Sequence, residues 1–174
     1  MIVDDYYVAR LNRDEHAGEL QALYERCPDY LRMAFGEPVR ATAAEEDFAL
    51  SRNLIYGIYS RDAEMIGALE MLRDYPKPDQ WWIGLLMLDP RARGRGLGPR
   101  VCNTTCDWIA TEGGSAVWIA VLVQNEAAQR FWKRMGFEEM ERQPYVEKNG
   151  FESVVILMRR GLRSGGQAPS PVPQ

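Results

Sequence analysis

One histidine, His16, and three cysteines are all this chain offers of the side chains most used as metal ligands and nucleophiles. That scarcity argues against a metal centre, because a zinc site usually draws three or four ligands from such groups. Cys102 and Cys106 stand one helical turn apart with no second ligand pair nearby, and both read as small packed side chains. His16 lies among Asp14, Glu15 and Glu19, the surroundings of a solvated helix face, so a Ser-His or Cys-His nucleophile would lack a well-placed base. An odd cysteine count without an apolar leader points to a reducing, cytoplasmic setting rather than a disulfide framework. No apolar run approaches the roughly 18 to 20 residues that span a bilayer. With 21 basic and 25 acidic side chains the net charge is −4, which argues against nucleic acid as a partner. Two phosphate loops are missing as well. A dinucleotide loop built on Gly94 and Gly96 needs a third glycine where Pro99 stands, and no Gly-Lys-Ser/Thr occurs.

What is present is concentrated in one stretch. Between Leu88 and Arg100 lie the glycines at 94, 96 and 98 and the arginines at 91, 93, 95 and 100. Trp81 to Leu88 is a near-continuous apolar run, as expected of a strand buried on both faces. Val101, Thr105, Trp108 and Ile109 follow with helical spacing, and Pro99 is tolerated in a first turn. A strand, a glycine loop and a helix in that order aim unpaired amides and a helix dipole at an anion. The same string could be an arginine-rich surface turn. A second segment separates the two readings: Val117 to Val123 forms another apolar strand, Asn125 offers an N-cap, Ala128, Phe131, Trp132 and Met135 fall on one helix face, and Gly136 stops the helix.

Arg93-x-x-Gly96-x-Gly98 followed by Asn125-x-x-Ala128-x-x-Phe131-Trp132-x-x-x-Gly136-Phe137 resembles the paired motifs of the GNAT superfamily of acetyl-CoA-dependent N-acetyltransferases. The pair covers roughly residues 80 to 138. The resemblance implies an α/β fold: a mixed, mostly antiparallel central sheet with helices on both faces, splayed between the strands ending near Leu88 and starting near Val117. It also implies acetyl-CoA as co-substrate without a metal. The loop from Arg93 through Gly94, Arg95, Gly96, Leu97 and Gly98 would hold the pyrophosphate, while Leu86, Met87 and Leu88 would pair with the pantetheine amides. Asn125 would touch the pantetheine arm, Ala128, Phe131 and Trp132 belong to the same motif, and Arg134 would lie near the adenosine phosphates. Pro99 removes one amide from the helix start, a contact that Arg95 or Arg100 could replace.

In such enzymes an amine attacks the thioester directly, which requires a base, an oxyanion donor and a proton for the leaving thiol. The resemblance gives the oxyanion to a backbone N–H of Met87 or Leu88. The proton usually comes from a tyrosine at the position of Trp132, whose indole is not a workable acid; water or Tyr145 could supply it. Glu70, and after it Asp74, are the acidic candidates for the base. Glu70 interrupts the apolar run Ile66 to Leu72, so it is either functional or turned to water, because an unpaired buried carboxylate costs several kcal/mol. Tyr30, Phe35, Tyr75, Trp81 and Tyr145 are expected walls of an acceptor pocket suited to a cationic amine, either a small molecule or a peptide N-terminus or lysine. Two other classes compete. A silent acetyl-CoA-binding sensor fits the missing tyrosine, and an RNA-binding loop would show salt-sensitive binding.

Along the rest of the chain the pattern predicts a strand over Tyr6 to Leu11 and a helix over Asp14 to Cys27, entered from Asn12 or Asp14 and broken by Pro28. A short apolar segment, Tyr30 to Phe35, closes at Gly36. Thr42-x-x-Glu45 signals a capping box for a helix to about Leu50. Strands are expected over Leu54 to Ser60, Glu64 to Arg73, Glu138 to Arg142 and Phe151 to Arg159, with a turn at Asn149-Gly150. The 174 residues, 46% hydrophobic, suit one domain over 1–160, with 161–174 a flexible Gly, Ser, Pro and Gln tail. The late strands and exposed aromatics offer a homodimer contact.

Overall fold

A computed structural model describes residues 2–3, 6–50, 52–146 and 150–162. Eight strands form one sheet in the order β1-β2-β3-β4-β5-β6-β8-β7: β1 (Ile2–Val3), β2 (Tyr6–Arg10), β3 (Leu54–Tyr59), β4 (Met65–Arg73), β5 (Gln80–Leu88), β6 (Ala116–Leu122), β7 (Glu138–Val146) and β8 (Glu152–Gly161). Every pair is antiparallel except β5 with β6. A parallel pair needs a crossover, and α4 (Leu97–Thr111) supplies it.

Helices cover both faces. Leu20 and Leu23 of α1 (Arg13–Glu25) pack with Ile55, Ala68 and Met87 on one side, beside α2 (Pro28–Phe35) and α3 (Ala43–Ala49). On the other side Cys102, Cys106 and Ile109 of α4 and Trp132 of α5 (Glu126–Arg134) pack with Leu69, Trp81, Ile83 and Ile119. Ala68 and Leu69 face opposite ways because strand side chains alternate. This is the GNAT acyltransferase fold.

Two features set β5 apart from the other strands. It pairs with β6 only at Gln80, Trp81 and Trp82, so the strands diverge beyond Trp82. Its register against β4 also skips Gly84, since Leu85 faces Glu70 and Ile83 faces Met71. That bulge changes which face each later residue serves.

Several local expectations need adjustment. Pro28 does more than stop α1: it opens α2 at its first turn, and Gly36 closes that helix at φ 73°. The Thr42 capping box does not form. The Thr42 hydroxyl donates to Glu46 at 2.7 Å, and the Ala44 amide finds Gln21 of α1 at 3.2 Å instead, so a neighbouring helix does the capping. Strand β7 runs past Arg142 to Val146 because β8 pairs with it throughout, and Pro144 is admitted on an edge strand. Gly161 belongs to β8 and the Leu162 amide bonds Ser115 O at 2.8 Å; residues 163–174 of the expected tail, and Asn149 of the expected turn, lie outside the described residues. No described helix is long and apolar enough to cross a membrane.

Candidate active site

The glycine loop folds as its composition predicts, with one addition. A 3-10 turn at Pro90–Ala92, capped by the Asp89 carboxylate, leads into it. Gly94 and Gly96 adopt φ 74° and 75°, a region that penalises any Cβ. Gly96 is the N-cap of α4, which leaves the Leu97 and Gly98 amides without acceptors inside the helix. At Gly98 a Cβ would meet the Phe131 ring at 3.4 Å, so glycine allows α4 and α5 to approach.

These elements enclose a groove of about 480 Å3. Leu86 and Leu88 form one wall, the loop residues Arg93, Gly94, Gly96, Leu97 and Gly98 form its end, and Ala128, Phe131, Trp132 and Arg134 of α5 form the other wall. Pro99 and Ala127, not predicted, complete it. Four predicted residues do not line it. Met87 is 3% exposed and packs on the opposite face against the α1 cluster, as alternation along β5 requires. Asn125 uses its side-chain oxygen to cap α5, accepting from the Ala128 amide at 3.0 Å. The Arg100 guanidinium lies 5.3 Å over the Tyr6 ring, and Arg95 is exposed beside the groove.

The strand end has a definite polarity. The Asp89 amide bonds Ile66 O of β4 at 2.9 Å, so alternation turns the N–H groups of Leu88 and Leu86 toward the gap beside β6. Met87 therefore presents its amide to β4, and of the two predicted oxyanion donors only Leu88 faces the opening. Trp132 is 8% exposed and meets Phe131 and Phe137 edge-on, each at 4.9 Å. Its ring is a packed wall.

On the opposite face of the sheet a second cavity, about 420 Å3, lies between the diverging halves of β5 and β6 and the helices α1 to α3. Glu70 lines it, which decides between its two sequence readings. Its Oε1 accepts from the Asn53 side chain at 2.7 Å, and Gly84 leaves space for the carboxylate. Burial, aided by the nearby Asp47 charge, pushes Glu70 up to about 7. Burial also raises Asp47, although the Tyr24 hydroxyl donates to it at 2.6 Å. Burial first, and these carboxylates after it, push the Tyr30 phenol up to about 12. The one cation in the lining, Arg40, pairs with Glu46 at 2.8 Å and Glu37 at 3.8 Å.

Tyr30 and Tyr145 line this cavity as expected. Trp81 does not: it is 2% exposed, beneath Trp108 in the core, and its neighbour Trp82 faces the cavity instead. Tyr75 packs edge-on against Trp82 at 5.5 Å without lining the cavity, and Asp74 accepts the Asp79 amide in an exposed turn. The Phe35 side chain lies outside the described residues. Tyr24, Asp47 and Asn53 were not foreseen, since their partners lie 17 or 23 residues away. No group of three or more potential ligands is placed to hold a metal among the described residues.

The family model of the acetyltransferase (GNAT) family matches residues 18–137. An uncharacterized protein of Mycobacterium leprae is 29% identical over 125 residues, which is 71% of this chain and 33% of that protein; the chain thus spans about a third of that relative's length. Among solved structures, an acetyltransferase from Thermus thermophilus superposes with TM-score 0.74 at 19% identity, covering 93% of this chain and all of that one. The spermidine N-acetyltransferase from Vibrio cholerae, solved with CoA and spermine, gives 0.72 at 17% identity over 90% and 95% of the two chains. Loop, splayed strands and family model coincide over the same residues, and the chain belongs to the GNAT acetyltransferase family.

Proposed function

We propose that this protein transfers an acetyl group from acetyl-CoA directly to a primary amine, working in the cytoplasm. One observation carries the reading: two cavities on opposite faces of the sheet meet at the gap between β5 and β6, and consecutive β5 residues line both. The bulge at Gly84 makes this possible. It puts Gly84 and Leu85 together on the acceptor side and returns Leu86 and Leu88 to the donor side.

The donor groove fits coenzyme A. Two positive-φ glycines, the first amides of α4, and Arg93 and Arg134 form an anion cradle, and the β5 edge beyond Trp82 offers backbone groups to an extended amide chain. When bound, acetyl-CoA supplies the activated thioester. The chain's own part is then threefold. Glu70, poised near neutrality, takes the proton of the attacking ammonium; the Leu88 N–H donates to the acetyl carbonyl oxygen; Tyr145, in the acceptor cavity, is placed to return a proton. Glu37, Glu46, Asp47 and Glu70 against the single Arg40 favour a cationic acceptor. The three unpaired, buried cysteines support a reducing compartment.

Coenzyme A release measured across polyamines, amino acids, aminoglycosides and peptides tests this. Turnover on a cationic amine is expected. Tight acetyl-CoA binding without turnover on any amine would instead favour a sensor, the reading that the indole at position 132 keeps open.

A further inference from the structure

Asp89, the residue on which β5 ends, is 1% exposed yet carries a full negative charge. All its acceptor capacity is used. Oδ2 accepts from Arg26 Nε at 2.6 Å and an Arg91 terminal nitrogen at 2.9 Å, while Oδ1 accepts from the Arg91 amide at 2.9 Å and Arg91 Nε at 3.0 Å. These charge-assisted bonds hold the carboxyl far below the usual carboxylate range, against the opposing effect of burial.

Each guanidinium then reaches a second element. Arg26, the C-cap residue of α1, also donates to Met65 O at 2.9 Å, and Arg91 also bonds Glu64 at 2.6 Å. One residue earlier, the Leu88 carbonyl accepts from Arg93 Nε at 2.8 Å and the Cys27 thiol at 3.6 Å. The junction of α1 and α2, the start of β4 and the head of the glycine loop therefore all close on Leu88 and Asp89. Arg91 belongs to the arginine-glycine string, but its guanidinium is taken up by this clamp and does not line the donor groove.

We propose that Asp89 is a positioning residue for the donor groove: by fixing Arg26 and Arg91 it sets where β5 stops, and so where the Leu88 amide and the loop amides point. The inference rests on the acetyl-CoA reading of that groove. Only the 3-10 turn Pro90–Ala92 and the glycine loop separate Asp89 from α4, so a shift at the clamp passes to the cradle. Removing the charge leaves Arg26 and Arg91 facing each other without a common anion. Misplacement of about 1 Å can cost a hundredfold in an oriented site.

The test is titration calorimetry of the full chain with coenzyme A, with thermal unfolding recorded on the same samples. Asp89→Asn is expected to weaken coenzyme A binding tenfold or more, Arg26→Gln to act in the same direction, and Arg26→Lys to recover part of the loss. The double variant should lose less than the product of the two single losses, because one clamp is removed twice. Folded Asp89→Asn with wild-type affinity overturns the proposal, as do single losses that simply multiply. Should Asp89→Asn fail to fold, wild-type affinity in Arg26→Gln overturns it equally. A wild-type chain that binds no coenzyme A overturns the acetyl-CoA reading itself, a result distinct from either variant's.

Discussion

Glu70 shows what a single position can decide. Its carboxyl, raised to about 7 by burial, is largely protonated below neutrality and accepts a proton only above it. Activity on an amine, as kcat/KM, should therefore rise with pH through about 7. Glu70→Gln should lower it by about 10²- to 10⁴-fold, the usual worth of a positioned base, and remove that limb, while coenzyme A binding measured by calorimetry stays within twofold. Trp132 makes the complementary case. Its indole packs between Phe131 and Phe137 and has no proton to give near neutrality, so Trp132→Phe should retain turnover within a few fold; abolished turnover with intact affinity in steady-state assays would show that the indole takes part in the chemistry. Both residues drew notice in the sequence because each broke a pattern: a charge in an apolar run, an indole where relatives carry a phenol. Which face Glu70 takes was not readable, since that depends on its alignment with β5 and on the bulge at Gly84.

At the scale of elements, local chemistry was the legible part. The glycine loop, the start of α4 and the Asn125 cap depend on neighbours within four residues, and they stand as read. Gly96 holds φ 75° at the N-cap of α4. Gly96→Ala should cost about 1 to 2 kcal/mol, the penalty of a Cβ in that region, lower Tm by about 2 to 8 °C for a chain of this size, and weaken coenzyme A binding; thermal denaturation with and without coenzyme A checks both. What failed were signals that other elements overrode. Thr42 carried a capping box, yet Gln21 of α1 reached the α3 amide first. Asp47 and Asn53 joined the acceptor cavity through contacts between α3, α1 and β4 that no linear spacing announces. Trp81 and Trp82 were separable in principle, since adjacent strand residues face opposite ways, but nothing local says which one meets the core.

Across the whole molecule, the family placed the splay correctly and the geometry shows its cost. β1 to β5 form one half-sheet and β6, β8 and β7 another, joined by three residue pairs at Gln80, Trp81 and Trp82. Each half is fully laddered within itself, while the seam between them relies on the crossover helix α4 and shared packing. Such a seam is a boundary between cooperative units of opening. Native-state hydrogen exchange should therefore alternate along the outer part of β5: fast at Leu86 and Leu88, whose amides face the gap, and slow at Met87 and Asp89, whose amides face β4. Coenzyme A should slow the first pair and leave the second unchanged; uniform protection along the strand would contradict this arrangement. The odd-even rhythm would make β5 an internal ruler, reporting residue by residue how far up the seam a ligand has closed the molecule.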